Sequence, residues 1–447
     1  MIETNILLLY SIIVTISLII FMQRKTILSI YTTNNSINWW SLLLYKQLIF
    51  VLSAPLCFTF IGLEKFPFFE NRINDEYVFK MNWIVLYSII VFYFALSVSL
   101  ILFGLVKNKN HFNLDSLALY KSRIFTISVI VVAFSLMFIG LFLFTHKHAL
   151  LLSIFENYNI REIRGYNSFY SNFPGIFASI LGICAWIPAI HSGYELKNKN
   201  LLFSLLFLIC ALILSGIRGD KAPIITCFTL LSLSYLMASN KTISSKLFSS
   251  SLIGISFMSI LIYYVVKLQY PEQDLNSFFQ YIIERLGVGQ MGGVYLGINY
   301  MDKNINNLPT DFWLNIFPLS SQFIEHQEVA KYIMLELTGK EYNETGIMNS
   351  LFISEAYGIG GWVLLFLSPI IVGFSFALAL KIIKIFFNKL FSNKISSLYY
   401  IPFGLESLNI TGGFSQFPLQ KVLFINLFIF IFVWIVYIII NNLMKIK

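Results

Sequence analysis

Asn343-Glu344-Thr345-Gly346-Ile347-Met348-Asn349-Ser350 closes the long polar stretch of residues 267–349, after which the chain turns apolar around a single carboxylate, Glu355. The polar stretch carries ten acidic and five basic residues. On either side lie runs of Leu, Ile, Phe and Val long enough to fill a bilayer. The segment 350–361 is too short to cross one and too apolar for an ordinary loop. It reads as a re-entrant or partly buried helix start that holds Glu355 in protein.

Working outward, the composition agrees. Of 447 residues, 57% are hydrophobic and only 12% charged. A soluble domain has about a quarter charged residues, so the class is an all-α polytopic membrane protein. A spanning helix needs about 20 apolar residues. That rule gives about 11 transmembrane helices, near 5–22, 40–63, 83–106, 124–144, 174–190, 201–217, 223–239, 247–266, 361–380, 396–411 and 422–440. Pro402, Gly404 and Glu406 interrupt the span from Ser396, which reads as a broken helix. No repeat or low-complexity linker divides the chain, so 1–447 reads as one integral membrane domain. Its large extracytoplasmic loop, 267–349, joins the eighth and ninth spans. The first apolar run lacks a basic leader and a cleavage pattern and reads as a retained helix.

Orientation follows from the basic residues. Arg24, Lys25, Lys107, Lys109, Lys121, Arg123, Lys197, Lys199, Lys241, Lys246, Lys381, Lys384, Lys389, Lys394, Lys445 and Lys447 fall in alternate connections. The positive-inside rule makes those connections cytoplasmic. The N-terminus is then outside, together with 64–82, 145–173, the 218–222 turn and 267–349. Cys57, Cys184, Cys210 and Cys227 sit in apolar runs at no ligand spacing, so neither disulfide nor metal is expected. His146 and His148 lack a third ligand and read as interfacial residues.

Chemistry-bearing residues collect in the outer set. Ser215-Gly216-Ile217-Arg218-Gly219-Asp220-Lys221-Ala222-Pro223 joins two spans through a minimal turn. Pro223 suits the first turn of the next helix, and Arg218 and Lys221 beside its N-terminus make an anion site. A tight hairpin with an Arg218–Asp220 pair explains the same residues structurally. Arg161 and Arg164 share a face on a helical turn and match the oxygens of a pyrophosphate. Residues 276–301 read as an interfacial helix running into a glycine-rich bend, with Glu284-Arg285 at the turn. Trp313 and Phe317 read as interface anchors. Residues 327–337 read as a short amphipathic helix with Val329, Ile333 and Leu337 on one face. His326, just before it, is a candidate proton acceptor. The chain has no nucleotide-binding loop and no Asp-x-Asp pair for a metal-held nucleotide sugar.

Four features together resemble the Wzy-type oligosaccharide repeat-unit polymerases. They are Arg164 followed by Gly175, Gly216-Ile217-Arg218-Gly219, Arg285 after an aromatic-rich helix, and Thr345-Gly346 leading through Ser350 to Glu355-Ala356-Tyr357-Gly358 and Gly360-Gly361. The resemblance covers roughly 145–380. It implies a glycosyltransferase of the bacterial inner membrane, working on the periplasmic face without a cofactor. Such an enzyme moves a growing chain from undecaprenyl pyrophosphate onto the next lipid-linked repeat unit. An O-antigen ligase and a lipid-linked oligosaccharide flippase remain open beside it. The leaving pyrophosphate calls for fixed cations, and arginine stays charged at any working pH. Arg161, Arg164, Arg218 and Arg285 then serve it, supported by Lys221. Glu355 is the first choice of base, ahead of Asp220, Glu344 and His326, while Tyr166, Tyr342, Tyr357 and Trp313 are candidate sugar contacts. The bulk of 267–349 reads as a lid, with the chemistry at its two ends. Expected partners are the lipid-linked donor and acceptor, membrane lipids and a chain-length regulator; nucleic acid is not among them.

Overall fold

The computed structural model describes residues 2–29, 39–106, 185–216, 221–238, 280, 283–316, 327–339, 348–390, 413–414, 435, 438–439 and 442. Its longer helices are α1 (Ile2–Gln23), α2 (Trp39–Phe60), α3 (Asp75–Leu102), α4 (Trp186–Lys197), α5 (Leu201–Gly216), α6 (Lys221–Ala238), α7 (Ile298–Lys303), α8 (Val329–Thr338) and α9 (Phe352–Leu390). Among the described residues no strand forms; Thr26 and Val106 make an isolated bridge. Asn5–Gln23, Asp75–Leu102 and Phe352–Ile382 are long and apolar enough to cross a membrane. Tyr45–Phe60, Leu201–Ser215 and Thr226–Tyr235 are shorter apolar helices. The expected spans 124–144, 247–266 and 396–411 lie outside the described residues, as does all but a few residues of 422–440.

The chain forms two compact units. One comprises Met1–His111, Asp274–Ile382 and Gly404–Val422, and the other Phe112–Gln273, Ile383–Phe403 and Leu423–Lys447.

In the first unit α3 is longer at its N-terminus than hydropathy suggests. The Asn74 side chain accepts from the Tyr77 N–H at 2.9 Å, and Asp75 and Glu76 occupy the first turn. The cap satisfies an otherwise unpaired donor, and the two acids favour the positive end of the helix. Helix α9 runs parallel to α3. Tyr87 meets Phe366, Phe92 meets Phe376, and the Lys381 ammonium donates to the Phe103 carbonyl at 2.8 Å. A Cβ on Gly373 would lie 2.8 Å from the Phe92 carbonyl oxygen, so the two backbones approach as only small residues permit.

The two ends of this unit differ in charge. Near Lys381, the Ile27 N–H donates to the Leu105 carbonyl at 3.1 Å, which brings the Arg24-Lys25 turn to the 103–106 turn. At the opposite end, an Arg72 guanidinium N–H donates to the Leu337 carbonyl at 3.0 Å, and the Asn299 amide donates to the Arg72 carbonyl at 3.1 Å. The 64–82 and 267–349 connections therefore share one end, and the described basic turns share the other.

The glycine-rich stretch differs from the open bend expected of it. It is a run of tightly changing helix: π-helical Ile283–Val288, one 3₁₀ turn at Gly289–Met291, π-helical Gly293–Gly297, then α7. Met291, Val294, Tyr295, Leu296 and Ile298 are all fully buried. Tyr295 accounts for part of this burial. Its ring lies 4.8 Å from that of Phe58, and its hydroxyl donates to the Asn82 side-chain oxygen at 2.6 Å. This part of the stretch is an inner wall, not a lid.

In the second unit, residues 174–184 of the span expected at 174–190 lie outside the described residues, and the described helix α4 runs on to Lys197. Polar residues after Ile190 stay helical because neighbours satisfy them. The Ser192 hydroxyl donates to the Ser204 carbonyl at 2.8 Å, and Ser204 returns the bond to the Ser192 carbonyl at 2.9 Å. Ser234 of α6 donates to the Ile190 carbonyl at 2.7 Å. Asn198, Lys199 and Asn200 then turn the chain, with Lys199 at φ 63° and the Asn200 amide donating to Glu195 at 2.7 Å.

Candidate functional site

Glu355 lies in the first turn of α9 and is 8% exposed. Its surroundings are fixed by a crossing of small residues. Gly293 and Gly297 are four apart on one side, and Ser350 and Ser354 are four apart on the other. A Cβ on Gly293 would sit 2.5 Å from the Ser350 Cβ, and one on Gly297 would sit 3.2 Å from the Ser354 hydroxyl. Three hydrogen bonds close the contact. Ser354 donates to the Gly293 carbonyl at 2.7 Å, the Gly293 N–H to the Asn349 carbonyl at 3.0 Å, and the Asn349 amide to Gln290 at 3.1 Å. The carboxylate itself lies against backbone: a Cβ on Gly413 would be 2.9 Å from its Cδ and would collide with Oε2. A carboxylate so enclosed is costly in its charged form unless protein groups hold it.

Farther along, Gly360 and Gly361 break α9. Gly361 has φ 62° and ψ −156°, a combination essentially confined to glycine. A short buried helix, 352–359, thus precedes the membrane-length part, much as its sequence suggests. Tyr357 on that short helix donates its phenol proton to Asp302 Oδ1 at 2.5 Å. Its ring meets Trp362 edge-on at 5.1 Å, and the Lys80 ammonium lies 4.7 Å above the Trp362 ring. Nearby, α8 buries Val329 and Ile333, and Tyr300 donates to Glu336 at 2.8 Å. Burial pulls the Lys331 ammonium on α8 below its ordinary range, with the Glu328 carboxylate opposing it. Trp313 is 53% exposed.

Of the residues singled out from sequence, Glu355 and Tyr357 stand on this helix start. Arg285 belongs to the π-helical turn Ile283–Val288, which is tied to α2 because the Ser53 hydroxyl donates to the Gly287 carbonyl at 2.7 Å. Lys221 opens α6, with Pro223 in its first turn. Arg161, Arg164, Tyr166, Arg218, Asp220, His326, Tyr342 and Glu344 lie outside the described residues. The structure adds Asp302, Tyr77, Lys80 and Trp362, which hydropathy had left as loop or span. Asp302 closes a buried apolar run, and Tyr77 and Lys80 are three apart behind an Asn74 cap. Those two patterns were legible signals. Among the described residues, no group of three or more His, Cys, Asp or Glu side chains converges as a metal site. Comparison with family models, characterised proteins and solved structures returns no match.

Proposed function

We propose that this chain is a membrane glycosyltransferase that polymerises undecaprenyl-pyrophosphate-linked oligosaccharide repeat units into O-antigen-type polysaccharide on the outer side of the cytoplasmic membrane. The observation that carries the reading is the crossing of Gly293 and Gly297 with Ser350 and Ser354. It packs the run that follows Arg285 against the segment that bears Glu355, two of the places where the sequence resembles the polymerases. Charge segregation in the first unit supports an outer-face site, since Glu355 and Tyr357 belong to the end away from Arg24, Lys25 and Lys381.

The chemistry follows from the residue types. The acceptor hydroxyl oxygen attacks the anomeric carbon of the donor chain, and the bond from that carbon to the pyrophosphate oxygen breaks. The electron pair leaves with the lipid pyrophosphate, and the hydroxyl proton passes to the Glu355 carboxylate. Arg285 meets the negative charge that develops on the leaving group.

Deleting the gene tests the reading. The expected outcome is surface glycolipid capped with a single repeat unit. Loss of all O-antigen from lipid A would instead identify a ligase. Accumulation of repeat units facing the cytoplasm would identify a flippase.

A further inference from the structure

Among the described residues, the Tyr77 hydroxyl is a buried donor with no hydrogen-bond partner. Most buried polar groups are paired, because an unpaired one is costly, so an orphan beside exposed polar groups asks for a ligand. Its setting narrows that ligand's chemistry. Tyr77 and Lys80 share a face of α3, and the Lys80 ammonium reaches the Trp362 ring at 4.7 Å. Trp362 packs on Tyr357, and Tyr357 donates to Asp302 Oδ1 at 2.5 Å. The Tyr77 phenol lies within electrostatic range of both Asp302 and Tyr357. The corner therefore holds a phenol needing an acceptor, an exposed carboxylate with acceptor capacity left, and an exposed ammonium.

Three ligand classes can be weighed against this set. An ammonium ligand would suit Asp302 but has no lone pair for Tyr77. A phosphate would accept from Tyr77 but would face the Asp302 carboxylate, and like charges at that range repel. A neutral hydroxyl does both: it accepts from the phenol and donates to the carboxylate. Its neighbouring hydroxyl on the same molecule can then accept from Lys80.

We propose that Tyr77, Asp302, Tyr357 and Lys80 form a subsite for the vicinal hydroxyls of a sugar residue, in which one hydroxyl bridges the Tyr77 phenol and the Asp302 carboxylate. Tyr357 is the positioning residue that holds Asp302. The inference rests on the polymerase reading and adds the residues that recognise the glycan, separate from the Glu355 carboxylate.

The experiment uses the full-length protein in lipid nanodiscs and the oligosaccharide released by mild acid from the source cells' own lipid-linked repeat units. Calorimetric titration of wild-type protein should show binding. Tyr77→Phe should weaken it about tenfold and Asp302→Asn by about tenfold or more, since the second removes a charged acceptor. Thermal unfolding of both variants establishes that they remain folded. Unchanged affinity in a folded Tyr77→Phe protein, with equal or higher thermal stability, would overturn the proposal and leave an ordered water as the partner of Tyr77. Failure of the wild-type protein to bind the oligosaccharide would overturn it as well. The polymerase reading stands or falls separately, on the single-unit glycolipid left by gene deletion.

Discussion

Replacing Gly293 with alanine puts a methyl group 2.5 Å from the Ser350 Cβ and 2.7 Å from the Ser350 hydroxyl. Carbon atoms in contact prefer about 3.5–4.0 Å, so one side must retreat by about 1 Å. The Ser354 bond to the Gly293 carbonyl, at 2.7 Å, ties the backbone at the collision point. Overpacking of a tight interior costs about 1–3 kcal/mol, and losing the hydrogen bond adds about 1 kcal/mol. We expect Gly293→Ala to destabilise the protein by about 2–4 kcal/mol on that basis. Ser350→Gly removes the opposing Cβ and by itself should cost about 1 kcal/mol or less. Combined, the two should show a coupling of about 2 kcal/mol, because the clash that defines the first no longer exists. Reversible denaturant unfolding of the purified protein in mixed micelles measures all three. Effects that add to within about 0.5 kcal/mol would refute the crossing of 293–297 with 350–354.

Other outcomes bear on the chemistry. Arg285→Ala and Arg164→Ala should abolish chain growth, read as a single-unit band on a glycolipid gel, with membrane levels of the protein unchanged; lysine at either position should restore activity only in part, since it lacks the bidentate fork. Glu355→Gln should likewise stop polymerisation while preserving the fold, because the amide fills the same space without accepting the proton. Gly413→Ala should lower the turnover of reconstituted protein more than it lowers stability, since its Cβ would displace the Glu355 carboxylate that Gly413 now lies against. Asn74→Ala should cost about 1 kcal/mol of stability through loss of the α3 cap, measured by the same unfolding assay.

Hydropathy placed α1, α2 and α5 to within a few residues because those helices are apolar on every side. It failed where helices are satisfied by polar contacts. Asn74, Asp75 and Glu76 look like loop by composition, yet Asn-Asp-Glu is a helix start, and α3 begins there. His191 and Ser192 look like the end of a span, yet serine pairs across α4 and α5 keep them helical. Glu355 was legible as a carboxylate in an apolar segment, which is costly enough to demand a purpose. Its neighbours were not legible, because the partners of 350–355 come from 293–297 and 413, far away in sequence. No local pattern reports such pairing. The glycine-rich stretch was misread for a related reason: glycine signals a bend when it faces water, and close packing when it faces another backbone.

Both units solve the same physical problem in the same way. Between helices in lipid, large apolar side chains gain little by meeting one another, because the acyl chains they leave are equally apolar. Close backbone approach and interhelical hydrogen bonds can still distinguish one arrangement from another. Accordingly, Gly373 lies under the Phe92 carbonyl and Gly193 under the Leu231 carbonyl. The hydroxyls of Ser354, Ser192, Ser204 and Ser234 each find a backbone carbonyl on a neighbouring segment. Such contacts depend on single atoms, so they fix position more tightly than a broad apolar face does. At Glu355 that precision has a geometric consequence. The serine before it is bonded to Gly293, the turn that Gly293 opens begins five residues after the π-helical turn of Arg285 ends, and the carboxylate is thereby set by a structure whose tolerance is below the width of a methyl group.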